Sequence, residues 1–376
     1  MKKNSVLRPL FIASALWILC SGCGGSSPTG PDSSGKPRTF YVAADKGSDQ
    51  NAGSASSPWL TLGHAVAQLR AGDVLLMRGG TYTGPSNVID SERFTVPSGN
   101  GWNNAITIKG DPGELVVIRP PEGQQAIRLT VSAPHYLVFQ DFMIDMSNQT
   151  LPAFVSGPAG IYVSGGSHHN RFLRLDVRNN TANGVEFSDQ NGNSPNNEVV
   201  GCSLRDNGRF PAVNSGYGAY VFTSDNVFEG NEVSGNGGYG LHFYGPGHPV
   251  SRNMVRNNRI YDNGRQGGTN YGIVLASGDG NVARNNEIRG NRGGVFVFQS
   301  ASNTQVEGNT IVDNVPLEGI FILEAERTSV RDNTLRGNGA GIVDQGSGTT
   351  ISADAPLSTD SIPLLALNLL RRPTRH

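Results

Sequence analysis

Four residues that could do acid–base chemistry, Tyr162, Glu186, Tyr220 and His242, stand at one offset from a glycine, two places after Gly160, Gly184, Gly218 and Gly240. Set side by side in that order, they put a carboxyl and an imidazole on either side of a phenol. A β-elimination needs a base for the proton beside a carboxylate, an acid for the departing oxygen, and a cation to neutralise the carboxylate; such a row offers the first two. His242 fits the part of base and Tyr220 that of acid, with Glu186 orienting one of them. If one rung of a sheet separates neighbours, Glu186 and His242 are roughly 9 to 10 Å apart, too far for a direct hydrogen bond. Tyr162, Phe222 and Tyr244 offer aromatic faces for stacking on pyranose rings, and Arg209 or Arg265 could pair with a uronate carboxylate. A Tyr, Glu or His on a solvent-facing strand is also common decoration, so the row acquires meaning only from the elements that hold it.

Those elements repeat. Glycines open short strands at Gly160, Gly184, Gly218, Gly240, Gly272, Gly294, Gly319 and Gly341, with spacings of 24, 34, 22, 32, 22, 25 and 22 residues. A basic coil of 22 to 25 residues is thus lengthened twice. Each coil also carries Asn-x-Val-x-x-Asn-x-Ile-x-x-Asn with substitutions, clearest at 226–236, 253–263 and 281–291. Apolar residues alternate with period two and form no helical stripe, so each coil reads as several short strands joined by turns. One coil cannot bury its apolar face alone, but copies stacked at about 4.8 Å share a continuous core. The pattern therefore predicts an all-β chain, a right-handed parallel β-helix with a short N-terminal capping helix, spanning residues 39–350.

In that register the residues one and three after each glycine, such as Ile161, Val185, Ala219, Leu241 and Val163, Phe187, Val221, Phe243, point inward and are uniformly apolar. Those two and four after it point outward. Polar chemistry falls on the first four coils, while Val274, Phe296, Phe321 and Val343 make an apolar strip that a loop or the C-terminal tail would cover. The lengthened coils put 189–196, 209–217, 245–251 and 265–271 beside the same rungs, where loops of repeat proteins line a binding face. Asn231, Asn258, Asn286, Asn309 and Asn333 should stack as an amide ladder, with Cys202 as a small buried substitute in its copy. Segments 105–120 and 126–146 read as earlier rungs, and 58–70 (PWLTLGHAVAQLR) has the helical spacing of a cap. Residues 351–376 form a tail whose run Pro363–Leu367 is apolar enough to cover the last rung.

Glycine is 50 of 376 residues, about twice the usual share, and charged residues are 16% against roughly 25% ordinarily, which suits many tight turns. Residues 1–22 read as a removable leader, with Lys2, Lys3 and Arg8 before the apolar run Leu10–Leu19, too short for a membrane span. Leu19-Cys20-Ser21-Gly22-Cys23 resembles the lipobox of bacterial lipoproteins, although Cys20 replaces the usual Leu. The resemblance implies lipidation at Cys23, a Gly/Ser/Pro-rich tether over 23–38, and anchoring to the cell envelope, outer membrane or surface, with the lipid as the sole membrane contact. Loss of the leader takes 30 basic residues to 27 against 31 acidic, a net charge of −4, which argues against nucleic acid as partner. A monomer acting on an acidic polysaccharide is the expected form.

The stretch Phe40–Gly84 (FYVAADKGSDQNAGSASSPWLTLGHAVAQLRAGDVLLMRGGTYTG), followed by the Asn-rich coils, resembles the amino-terminal cap of secreted pectate-lyase-type polysaccharide lyases. The resemblance implies the β-helix and action on polysaccharide. Related pectate lyases carry calcium-binding acids and a lysine base within motifs like Asp-Gly-Phe-Ala-x-Lys and Asp-Asp-Gly-x-Asp. The corresponding stretches here, 217–222 and 237–242, have neither, which disfavours that mechanism. Asp45-Lys46-Gly47-Ser48-Asp49-Gln50-Asn51 has spaced oxygen ligands for Ca2+, but the same composition makes a plain turn. His168, His169 and His248 lack the spacing of a zinc site. A glycosidase would want two facing carboxylates, for which Glu186 and Asp189 are the nearby pair. Two expectations remain: a polysaccharide lyase or uronate epimerase, or a non-catalytic carbohydrate-binding or surface-adhesion module on the same scaffold.

Overall fold

Each coil folds into three strands because its two tightest corners are built into the Asn motif. The computed structural model describes residues 37–150, 158–210, 216–245 and 247–352; the leader, Cys23, nearly all of the tether, and the tail from 353 lie outside the described residues. All strand pairs within the three sheets are parallel, in sheets of twelve, ten and ten strands that run side by side along the solenoid. The chain is a right-handed parallel β-helix. A typical coil passes from Val185–Phe187 to Glu198–Val200 and Ser203–Arg205, then enters the next rung at Ala219–Val221.

The asparagines form three ladders, not one. Asn231, Asn258, Asn286, Asn309 and Asn333 are linked Nδ2 to Oδ1 at 2.9 Å at every step. A second series runs Asn207, Asn236, Asn263, Asn291, Asn314, Asn338, and a third joins Asn226, Asn253 and Asn281. Each Asn follows a left-handed residue, for example Gly230, Asn257 and Asn285 before the first series. That explains the recurrent Gly, Asn or Asp ahead of it, since these types tolerate positive φ. Cys202 occupies the first ladder's place in its coil, 2% exposed, its backbone N–H donating to Asn231 Oδ1 at 2.9 Å and its Sγ to the Phe172 carbonyl. Burial pushes its thiol up to about 12, so it is a packed substitute and not a nucleophile.

Inside, apolar residues from all three sheets form one core, with Phe139, Phe172, Phe187, Phe228 and Phe243 in successive ring contact at 5.3 to 6.0 Å. The helix α1 (Leu62–Ala67) is shorter than the 58–70 pattern suggests. Trp59 pairs in extended form with Tyr41 and Ala43, and Asp49 accepts the N–H groups of Leu60 and Thr61 and the Thr61 hydroxyl. Thr61 then caps the helix by accepting from His64 N–H. Leu62, Ala65 and Val66 are buried beside the first strands, Thr39–Val42 and Ile89–Asp90. Asp49 is thereby committed to a turn, and among the described residues no cluster of three or more His, Cys, Asp or Glu is arranged for a metal.

Candidate functional site

The glycine-led sheet contains Ile127–Leu129, Ile161–Val163, Val185–Phe187, Ala219–Val221, Leu241–Phe243, Tyr271–Ala276, Gly293–Phe298, Glu318–Glu326 and Ala340–Ser347, and begins at Ile89–Asp90. Its leading glycines are required by close approach. A Cβ on Gly218 would lie 2.6 Å from the Gly240 carbonyl oxygen, and one on Gly240 2.5 Å from that of Gly272. Strand pairing aligns Tyr162 with Glu186, Glu186 with Tyr220, Tyr220 with His242, and continues to Val274, Phe296, Phe321 and Val343. The row inferred from glycine spacing is one continuous stripe.

Glu186 lies between Tyr162 and Tyr220 in this stripe. Its Oε2 accepts from Asn183 Nδ2 at 3.0 Å, and Asn183 is itself fixed because its Oδ1 accepts the N–H groups of Gly216 and Tyr217. Burial lifts the carboxyl to about 7, against which the Asn183 bond acts weakly. The side chain nevertheless keeps partial solvent exposure. Tyr162 donates to Gln190 Oε1 at 2.9 Å, and burial holds both Tyr162 and Tyr220 above the ordinary phenol range.

His242 departs from its expected role. Its ring lies parallel to Tyr220 at 4.6 Å and to Tyr244 at 5.6 Å, with Tyr217 and Tyr239 packed at 5.1 and 4.6 Å. It points outward from the core yet is 7% exposed, and its buried Nδ1 has no hydrogen-bond partner among the described residues. Desolvation pushes it down to about 3, which keeps the ring neutral but makes it a poor proton acceptor. Phe222 closes on Tyr220 at 4.0 Å, and Tyr244 continues the stack toward Phe298 at 6.1 Å. From there Phe296, Phe321, Val274, Val343 and Tyr271 form a second apolar cluster, the Tyr271 hydroxyl bonding Glu318 at 2.5 Å.

Both nominated arginines have partners within the chain. Arg209 donates to four backbone carbonyls, of Asn179, Met146, Ser147 and Gln149, and so staples a turn. Arg265 pairs with Asp206 at 3.2 Å. The stripe, however, extends further than the leading glycines indicate: Tyr162 aligns with Arg128, and Arg128 with Asp90. Ala126 stands where later coils have glycine. The alternation Ile127-Arg128-Leu129 was the available signal. The stretches 217–222 and 237–242 offer an aromatic stack and a neutral imidazole; these donors do not fit a calcium ion, which takes oxygen ligands.

Comparison with known proteins agrees with this geometry. Residues 40–209 match the model of the Pel9A-like right-handed β-helix region, and residues 212–355 that of the right-handed β-helix region. Pectate lyase PEL9 of Emericella nidulans is 28% identical over 174 residues, covering 43% of this chain and 37% of its own length. The match thus spans little more than a third of that relative. Pectate lyase L of Dickeya dadantii is 23% identical over 332 residues, 79% of this chain and 71% of that one. The crystal structure of pectate lyase Pel9A superposes with a TM-score of 0.54 at 16% identity, covering 88% and 84% of the two chains. Three parallel sheets and stacked Asn ladders make the chain a right-handed parallel β-helix, and over the matched stretches it is similar to pectate lyases.

Proposed function

We propose that the chain acts on an acidic polysaccharide by removing the proton beside a uronate carboxylate, with Glu186 as the base. The observation that carries this is the placement of the half-buried Glu186 between Tyr162 and Tyr220 on one outward stripe, where burial raises its carboxyl to about 7. At neutral pH such a group is about half ionised, the condition in which one side chain accepts and returns a proton efficiently. Tyr162 and Tyr220 stay protonated and flank it. Elimination follows if one of them protonates the departing oxygen, and inversion if one returns a proton to the opposite face. His242, too weak a base for the first step, becomes a wall of the site. Similarity to pectate lyases supports the substrate class, and the sequence before residue 39 supports export with a lipid on Cys23 anchoring the body to the cell envelope.

Incubation with pectate, alginate and glycosaminoglycans, followed by ultraviolet absorbance for unsaturated ends and NMR for inverted C5 centres, tests the reading. Turnover by the unaltered chain, lost in Glu186→Gln, is the expected result; equal turnover by both removes Glu186 from the chemistry. The aromatic row of Tyr162, Tyr220, Phe222 and Tyr244 favours a second reading, a non-catalytic carbohydrate-binding module. Binding without turnover of any panel member would select it.

A further inference from the structure

We propose that Arg128 is the carboxylate-binding subsite of this groove, the group that selects acidic over neutral sugar chains. The inference deepens the proposed function and rests on it. Across the ten strands of the glycine-led sheet, Arg128 is the one Lys or Arg. It lies one rung from Tyr162 and two from Glu186 on the same outward face, so about 10 Å of axial advance separates it from the proposed base. That is the scale of one to two pyranose rings laid along the stripe.

The guanidinium already holds a carboxylate. Its NH1 donates to Glu92 Oε2 at 2.7 Å, in a pair whose side chains are 31% and 39% exposed. Glu92 is kept in place by the Thr130 hydroxyl, which donates to its Oε1 at 2.9 Å. The pair is partly open to solvent on both sides. Arg209 and Arg265 lie outside the strands of this sheet. A uronate carboxylate entering beside Tyr162 would share or displace Glu92 and exchange one ion pair for another. Beyond Arg128 the register partner is Asp90, which is buried and accepts the Glu92 N–H.

Opposite effects from the two partners separate this role from a structural one. Calorimetric titration of the full chain with oligogalacturonate and oligomannuronate, and with their methyl esters, is the assay. Arg128→Met should weaken an acidic oligomer by about tenfold or more while leaving its ester unchanged. Arg128→Lys should restore part of the loss. Glu92→Gln, which frees the guanidinium, should bind the acid more tightly than the unaltered chain. A melting curve by circular dichroism establishes that each variant folds. Unchanged acid affinity in Arg128→Met, equal weakening of acid and ester, weaker binding in Glu92→Gln, or no binding of either acid by the unaltered chain would each overturn the subsite. Glu186→Gln is expected to stop turnover and spare these affinities, so failure of the proposed chemistry and failure of the Arg128 subsite give different results.

Discussion

Glu186→Gln should turn a flat profile of stability against pH into a sloping one. Burial lifts Glu186 from 4.5 to about 7 and pushes His242 from 6.5 to about 3. Between pH 4.5 and 6.5 the unfolded chain has lost the Glu186 proton and holds one on His242, whereas the folded chain does the reverse. Folding takes up a proton at one residue and releases one at the other, and the two dependences cancel. Alone, each is worth about 1 kcal/mol per unit of pH. The raised carboxyl contributes stability that is fully present below 4.5 and lost as pH rises toward 7. The depressed imidazole contributes stability present above 6.5 and lost as pH falls toward 3. With Glu186 replaced, only the second survives, so stability should climb by about 2 to 3 kcal/mol between pH 4.5 and 6.5 relative to the unaltered chain. His242→Gln should tilt the profile the opposite way. Urea unfolding followed by circular dichroism across that range reads the difference, and the background from other groups subtracts out. A variant profile parallel to that of the unaltered chain would refute the assignment of the buried proton to Glu186.

Asn258→Ala removes two bonds donated by Nδ2, to Phe228 O and Asn286 Oδ1, and two accepted from Asn231, all at 2.9 Å. Denaturant unfolding should show a loss of about 3 to 5 kcal/mol, because the groups left behind are buried. Cys202→Asn would extend the same ladder by one rung and should raise the melting temperature, with a gain of about 1 kcal/mol. The native thiol should resist a thiol reagent until the chain unfolds. Arg209→Ala should lower stability by about 1 to 3 kcal/mol while leaving oligouronate affinity unchanged in titration, in keeping with its carbonyl contacts.

The stripe is legible in the sequence because its two causes are local. A leading glycine marks where rungs come too close for a Cβ, and strict alternation fixes which neighbours face out. The Asn positions are legible for the same reason, each set by a left-handed residue at a corner, although three ladders emerge where one is expected. What the sequence conceals depends on neighbours that alternation does not order. His242 is walled by Tyr217 and Tyr239, which precede the leading glycines of two coils and belong to turns. Arg209 lies in a lengthened coil, where chain length says that a loop exists but not that its guanidinium turns to backbone carbonyls. Arg128 escapes notice because Ala126 replaces the glycine that marks the register. The helix starts later than its apolar spacing implies because Asp49, distant in sequence, pins Leu60 and Thr61 ahead of the first turn.

Exchange of the C5 proton of an oligouronate in deuterium oxide, followed by NMR, interrogates the step shared by elimination and inversion. Deuterium should enter C5, or unsaturated product should form, with the unaltered chain, and both should cease in Glu186→Gln while the oligomer still binds. Persistent exchange in that variant, or none with the unaltered chain on any uronate it binds, would contradict a proton-transfer role for the stripe.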